Sequence, residues 1–184
     1  MSDKFLDIKK HQFYTSLYFS PIGNLLILAE KGHLLRLDFE DEKARKRIET
    51  LSVGEEVFQI DIASPFLPHI LQETKNWLDA YFSKRKPFSS LPIKFKDTPF
   101  RMLVWNLLLD IPYGKTVSYK EVAHLVAKAR GAMRMSAQAI GQAVGKNPIS
   151  IIVPCHRVIG KTGNLIGYGG GLERKKFLLE LEEN

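Results

Sequence analysis

The chain has 184 residues, 45% of them hydrophobic, a net charge of +7 and one cysteine. That length supports one large or two small domains with real cores, and the composition agrees with a globular chain, not a disordered one by default. A single cysteine excludes an intramolecular disulfide framework and a zinc site built on several thiolates, and the mixed-charge start Met1-Ser2-Asp3-Lys4-Phe5-Leu6-Asp7 lacks the apolar run of a signal peptide or membrane span, so a cytoplasmic location is expected.

Between Phe13 and Phe39, runs rich in aromatic and aliphatic residues alternate with turn residues. Strands are expected at 14–18, 25–29 and 34–39, forming a small antiparallel sheet. In the third, Leu35, Leu37 and Phe39 alternate with Leu34, Arg36 and Asp38, the period of a half-buried strand. Residues 41–51 have helical spacing with few apolar positions, whereas 65–82 predict a longer helix with Phe66, Ile70, Trp77, Leu78, Tyr81 and Phe82 near one face. No catalytic cluster is visible in this half. Prolines, lysines and serines mark residues 83–99 as an extended surface connection, dividing the chain into domains at 1–90 and 91–184. The basic clusters at 43–47 and 84–86 read either as nucleic-acid or localisation patches or as solvated faces.

Thr98 and Pro99 supply an N-cap and a first-turn proline for a helix to about Leu109, with Phe100, Val104, Leu107 and Leu108 as its buried stripe. Ile111-Pro112-Tyr113-Gly114 ends it. Ser118 and Glu121 form a capping box for a second short helix that carries Val122, Leu125 and Val126 inward, with Tyr119 on its first turn. Ser136 caps a third helix, in which Ala137, Ala139, Gly141, Ala143 and Gly145 are expected to leave one side nearly bare. Such a side suits tight helix packing or the backbone of a ligand. From Thr98 onward 12 Lys+Arg stand against 6 Asp+Glu, compared with 15 and 14 before it. The basic excess is therefore C-terminal and points to a polyanion such as DNA.

Residues 149–153 are apolar and rich in β-branched carbon, which predicts a buried strand that Pro154 stops, leaving Cys155 at its end. His156 and Arg157 are the kind of positive neighbour that lowers a thiol pKa and raises the nucleophilic thiolate fraction. Taken alone, one cysteine is far more often an inert core residue than a reagent. The Gly-rich stretch at 167–171 lacks the strand-to-helix context of a phosphate loop.

Pro154-Cys155-His156-Arg157, followed by Gly167-Tyr168-Gly169-Gly170-Gly171-Leu172 and preceded by Ile111-Pro112-Tyr113-Gly114, resembles the signature of the O6-alkylguanine-DNA alkyltransferases. The resemblance implies an α+β chain: a ribonuclease H-like N-terminal domain, then a mostly helical, winged-helix catalytic domain that binds DNA by a helix-turn-helix. It also implies direct-reversal DNA repair as a monomer, without metal, cofactor or membrane. The second helix of the motif enters the minor groove of double-stranded DNA, and the alkylated base is flipped into the protein. Cys155 then takes the alkyl group from O6-methylguanine, and from O4-methylthymine, irreversibly, so each molecule acts once. A subgroup that binds lesions without repair carries tryptophan at this position; Cys155 implies reaction.

At matching positions, His156 corresponds to the base that takes the thiol proton through a water, Glu182 to the carboxylate that orients it, Asn147 to the brace of the turn, and Tyr119 to the donor toward the flipped base. Backbone groups of Cys155, Val158 and Gly169 match contacts to guanine, with Tyr168 in the same pocket wall. Ser136, Ala137, Gln138, Ala139, Lys146 and Arg157 match the DNA-facing set. Gln138 stands where the family commonly has an arginine that fills the gap left by the flipped nucleotide; Arg130 and Arg134, in the segment 128–135, are candidates to supply the missing charge. Two other classes fit the residues: a lesion-binding regulator with an inert Cys155, and a cysteine hydrolase, for which no oxyanion-donor pattern is apparent.

Overall fold

The computed structural model describes residues 12–85 and 90–183. The N-terminal charge mixture, and residues 86–89 of the expected connection, lie outside the described residues. Three strands, β1 (Gln12–Ser20), β2 (Gly23–Glu30) and β3 (His33–Phe39), form an antiparallel meander, and β4 (Glu56–Gln59) adds to β1 in parallel, giving the order β3-β2-β1-β4. Two helices belong to this half: α1 (Glu42–Leu51), capped by the Asp41 carboxylate on the amide of Ala44, and α2 (His69–Phe82).

Alternation along the strands separates two cores. Tyr18, Leu25, Ile27 and Ala29 face the main core with α2, while Phe13, Leu26 and Leu28 face Ala44 and Ile48 of α1. β3 departs from simple alternation, because the pairing register shifts where Leu28 opposes Arg36 but Ala29 opposes Leu34. The extra residue places Leu34, Leu37 and Phe39 in the main core and Leu35 in the smaller one, correcting the expected face. Two other expectations change. Pro68 starts α2 four residues later than 65, since a residue before proline avoids helical backbone, and Phe66 is 88% exposed outside the helix. β4 has no apolar period to announce it; all four of its residues are exposed and only pairing with β1 makes it a strand.

The second half follows its caps. α3 (Pro99–Leu109) starts at Thr98, and α4 (Tyr119–Ala129) has the complete Ser118–Glu121 capping box. α5 (Ala137–Val144) is capped by Ser136. Val104, Trp105 and Leu108 of α3 pack with Val122, Ala123 and Val126 of α4 and Ile140, Ala143 and Val144 of α5. Trp105, absent from the expected stripe, is fully buried and its indole N–H donates to the Ala143 carbonyl at 2.8 Å. Leu125 is 43% exposed instead of buried. A two-residue parallel pair, β5 (Val117–Ser118) and β6 (Val158–Ile159), and α6 (Leu172–Glu183) complete the fold.

The two halves share one core and one sheet edge. Leu34 and Leu37 of β3 exchange backbone hydrogen bonds with segments 92–94 and 148–150, so the connection is pinned to the sheet instead of running free over the surface. Leu91 is buried, and Phe95 lies 5.3 Å from Trp105 between ring centroids. No helix among the described residues is long and apolar enough to cross a membrane. Replacing Trp105 by Phe should lower the unfolding free energy by about 2 kcal/mol, from the lost hydrogen bond and an incompletely filled space. Urea titration checks this; an unchanged midpoint would remove Trp105 as the tie between α3 and α5.

Candidate active site

The run at 149–153 is a buried turn, not the expected strand. Val153 donates back to the Ile149 carbonyl, and Ile151 sits at φ +70°, a left-handed conformation that costs a β-branched residue on the order of 1–3 kcal/mol. Asn147 holds the turn together. Its amide nitrogen lies 3.2 Å from Ile149 O, 2.9 Å from Val153 O and 3.0 Å from Cys155 Sγ, and its Oδ1 accepts from the Ile149 amide at 3.0 Å. Two amide hydrogens are thus shared among three acceptors. Cys155 opens a 3-10 turn (Cys155–Arg157) that leads into β6.

Burial pushes the Cys155 thiol up from its ordinary range, and the Asn147 amide and the Lys175 charge only partly offset this. The expected lowering by His156 and Arg157 does not occur, because both side chains turn to another partner. His156 is fully buried, with Nε2 2.8 Å from Glu182 Oε1, while Nδ1 has no hydrogen-bond partner among the described residues. Burial holds the imidazole below its usual pKa, against the pull of Glu182. Arg157, expected to face DNA, is buried instead: Nε and Nη2 grip the Glu182 carboxylate at 2.8 and 3.0 Å, and Nη1 donates to Ile111 O at 2.7 Å.

Glu182 collects two further donors, the Tyr81 hydroxyl on Oε1 at 2.6 Å and the Gly114 amide on Oε2 at 3.1 Å. Burial raises its pKa, but the hydrogen bonds from His156 and Arg157 outweigh burial and hold the carboxyl well below the usual carboxylate range. Gly114 has φ +69°, and a Cβ there would come within 2.9 Å of the Glu182 carbonyl oxygen, so this approach requires glycine.

On the other side of the thiol, Lys175 is fully buried and its ammonium donates to the carbonyls of Val158, Ile166 and Gly167 at 2.7, 2.9 and 3.3 Å. It also lies 6.0 Å from the Tyr119 ring centroid. The Tyr119 hydroxyl donates to Ile166 O at 3.1 Å. Tyr168 packs edge-on to His156 at 6.5 Å, and the backbone at Gly169 passes close to Gly145 after α5. Arg174 ties this loop to the first half by donating to Ile22 O and Gly170 O and stacking on Phe39 at 4.3 Å.

On α5, Ser136, Ala137 and Gln138 are exposed and Ala139 half-buried; Lys146 is exposed just beyond it. The small residues do not share one side: Ala143 lies under Trp105, and Gly141 faces Tyr119, where an added Cβ would meet the ring at 3.9 Å. The period of two read from the sequence winds around a helix. A cavity of about 640 Å³ lies beside the site, lined by charged residues including Arg36, Arg47, Asp97 and Lys146. Asn147 and Gly169 also line it, whereas Cys155, His156 and Tyr119 do not. Tyr81, Gly114, Arg174 and Lys175 were not singled out from sequence. For Lys175 a signal existed, since it falls at helical spacing with Leu178, Leu181 and Glu182 on one buried stripe.

Residues 99–184 match the family model described as "6-O-methylguanine DNA methyltransferase, DNA binding domain", and residues 13–95 match "6-O-methylguanine DNA methyltransferase, ribonuclease-like domain". The chain is 39% identical over 173 residues to a methylated-DNA--protein-cysteine methyltransferase of Methanosarcina barkeri, covering 93% of this chain and 98% of that protein. It is 42% identical over 167 residues to the protein of the same name from Mycobacterium leprae, covering 90% and 89%. Among solved structures, Mycobacterium tuberculosis OGT in complex with DNA superimposes with a TM-score of 0.74 at 35% identity, covering 94% of this chain and 92% of that one.

Two outcomes test the site. In Asn147→Ala, alkylation of the thiol by iodoacetamide should be slower at neutral pH than in the wild type, because a hydrogen bond that favours the thiolate is gone; an equal or faster rate in the folded variant contradicts that role. The depressed Glu182 pKa stabilises the fold above the carboxyl's unfolded pKa of about 4.3, and this is lost as pH falls through the lower folded value. Glu182→Gln should therefore melt at lower temperature near neutrality, costing about 3–5 kcal/mol by stranding Arg157, and show a flatter melting temperature in acid. Parallel pH curves for the two proteins would contradict it.

Proposed function

Because the chain belongs to the 6-O-methylguanine DNA methyltransferase family, we propose that Cys155, His156 and Glu182 carry out its chemistry as a single relay. The protein repairs alkylated DNA by transferring the alkyl group to a cysteine, and Cys155 is the only cysteine in the chain. The observation that carries the assignment of roles is the buried Nδ1 of His156, unpartnered among the described residues, on an imidazole whose Nε2–H is committed to Glu182. A base needs that arrangement: one nitrogen held by a carboxylate, the other open to a proton.

Cys155 enters the reaction as a thiol. As sulfur attacks the alkyl carbon on guanine O6, its proton passes to His156, and the Glu182 carboxylate stabilises the imidazolium that results. The S–C bond forms while the C–O6 bond breaks and its electron pair goes to the guanine. Tyr119 releases Ile166 O and donates to the departing base, which takes a proton from solvent and ends as intact guanine, while the imidazolium gives the thiol proton up to solvent. Lys175 adds positive charge near the sulfur. The carbonyls of Cys155 and Val158 each keep an acceptor lone pair for the guanine amino group, with Gly169 and Tyr168 in the pocket wall. The thioether product does not hydrolyse, so each molecule acts once. O4-methylthymine offers the same oxygen-bound methyl carbon.

For access to the thiol, the base leaves the duplex. The exposed face of α5, with Ser136, Ala137, Gln138 and Ala139, lies in the minor groove, and Lys146 meets a phosphate. Gln138 fills the gap left by the base without adding charge; Arg130 and Arg134 on the α4–α5 connection lie near enough in sequence to restore it. The protein acts as a monomer, in the reducing cytoplasm that a consumable free thiol requires.

Intact-mass spectrometry of the protein mixed with duplex DNA carrying O6-methylguanine should show the addition of one methylene mass per chain, and none for Cys155→Ala. A lesion that survives excess folded, reduced protein would overturn this reading.

A further inference from the structure

Tyr81 lies on α2 in the ribonuclease-like half, yet its hydroxyl reaches the relay of the other half. The oxygen is 2.6 Å from Glu182 Oε1 and 3.4 Å from His156 Nε2, so the phenol and the imidazole converge on one carboxylate oxygen. The ring is fully buried and fixed on three sides, stacked on Trp77 at 5.3 Å and edge-on to Phe82 and Tyr113 at 5.4 and 5.9 Å. We propose that Tyr81 is a positioning residue through which the N-terminal half sets the basicity of His156. This rests on the roles given above to Cys155, His156 and Glu182.

The physical argument is competition for charge. A carboxylate oxygen that accepts a phenol hydrogen bond gives less of its negative charge to the imidazolium on the same oxygen. Tyr81 therefore tempers the hold of Glu182 on a protonated His156 and keeps the imidazole ready to release its proton. The donor is permanent, because burial and the neighbouring carboxylate push the phenol far above its ordinary range. Other groups around the pair do not mimic this titration. Burial raises the phenols of Tyr113 and Tyr168 and the thiol of Cys155, and Lys175, lowered from its ordinary range by burial, faces carbonyls. The acidic limb of the reaction belongs to His156.

The test is the single-turnover rate of methyl transfer from O6-methylguanine duplex DNA, measured against pH. Tyr81→Phe keeps the ring and should react roughly tenfold more slowly at neutral pH, with its acidic limb displaced to higher pH and the same final extent of transfer. Tyr18→Phe removes a comparable hydroxyl, one that donates to Asp79 at 2.8 Å, and should leave the limb in place. Incorporation of 3-fluorotyrosine at position 81, a stronger donor of nearly the same shape, should move the limb to lower pH and keeps the test open if Tyr81→Phe does not fold. A limb unmoved by either change at position 81, or moved equally by Tyr18→Phe, overturns the proposal. Absence of transfer by the wild-type protein instead overturns the underlying reading of the site.

Discussion

A carboxylate inside a protein must be surrounded by donors or give up its charge, and Glu182 organises this molecule by taking the first course. Its two oxygens accept from His156, Arg157, Tyr81 and Gly114, which belong to the 3-10 turn after the buried loop, to α2, and to the turn after α3. These segments lie far apart in sequence. Loss of Arg157 from this set would leave a buried charge uncompensated. The same requirement explains Gly114, where any side chain would strike the Glu182 backbone, and it explains why Arg157 stays inside instead of serving the surface.

The chemistry follows from what this cluster withholds as much as from what it supplies. Arg157 neutralises Glu182 but does not activate sulfur, and burial keeps Cys155 a thiol. In the proposed relay, reactivity then depends on a base that takes the proton during the displacement, not on a standing thiolate. For a residue consumed by its own reaction this is economical, because a thiol without persistent charge reacts slowly with chance electrophiles. The turn that carries Cys155 is held by Asn147 against the strain at Ile151, and it is also pinned to β3 through Ser150 and Pro148. The N-terminal sheet is thus part of the scaffold of the nucleophile, and Tyr81 carries contacts of the same half to Glu182 and His156.

Much of this was legible in the sequence where the signal is local. Strand–turn alternation, the Ser118–Glu121 box, the Thr98-Pro99 cap and the clustering of Cys155 and His156 all depend on neighbours within a few residues, and all recur in the structure. The failures share a different cause. A short apolar run such as 149–153 signals burial but not whether the backbone is extended or turned, and only Asn147 in three dimensions decides it. The face of Leu35 depends on a register shift set by β2, and β4 exists only because β1 offers it an edge. Tyr81 looked like core because it is core; its second role is visible only when a carboxylate 101 residues away arrives at its hydroxyl.

The account stands on the protonation state of one ring. Nitrogen NMR of protein labelled in histidine reports each imidazole nitrogen separately. The structure predicts for His156 a neutral ring at neutral pH, protonated on Nε2 toward Glu182 and bare on Nδ1. A ring carrying both protons at that pH, or its single proton on Nδ1, would mean that His156 has no site to receive the thiol proton, and the relay described here would not exist.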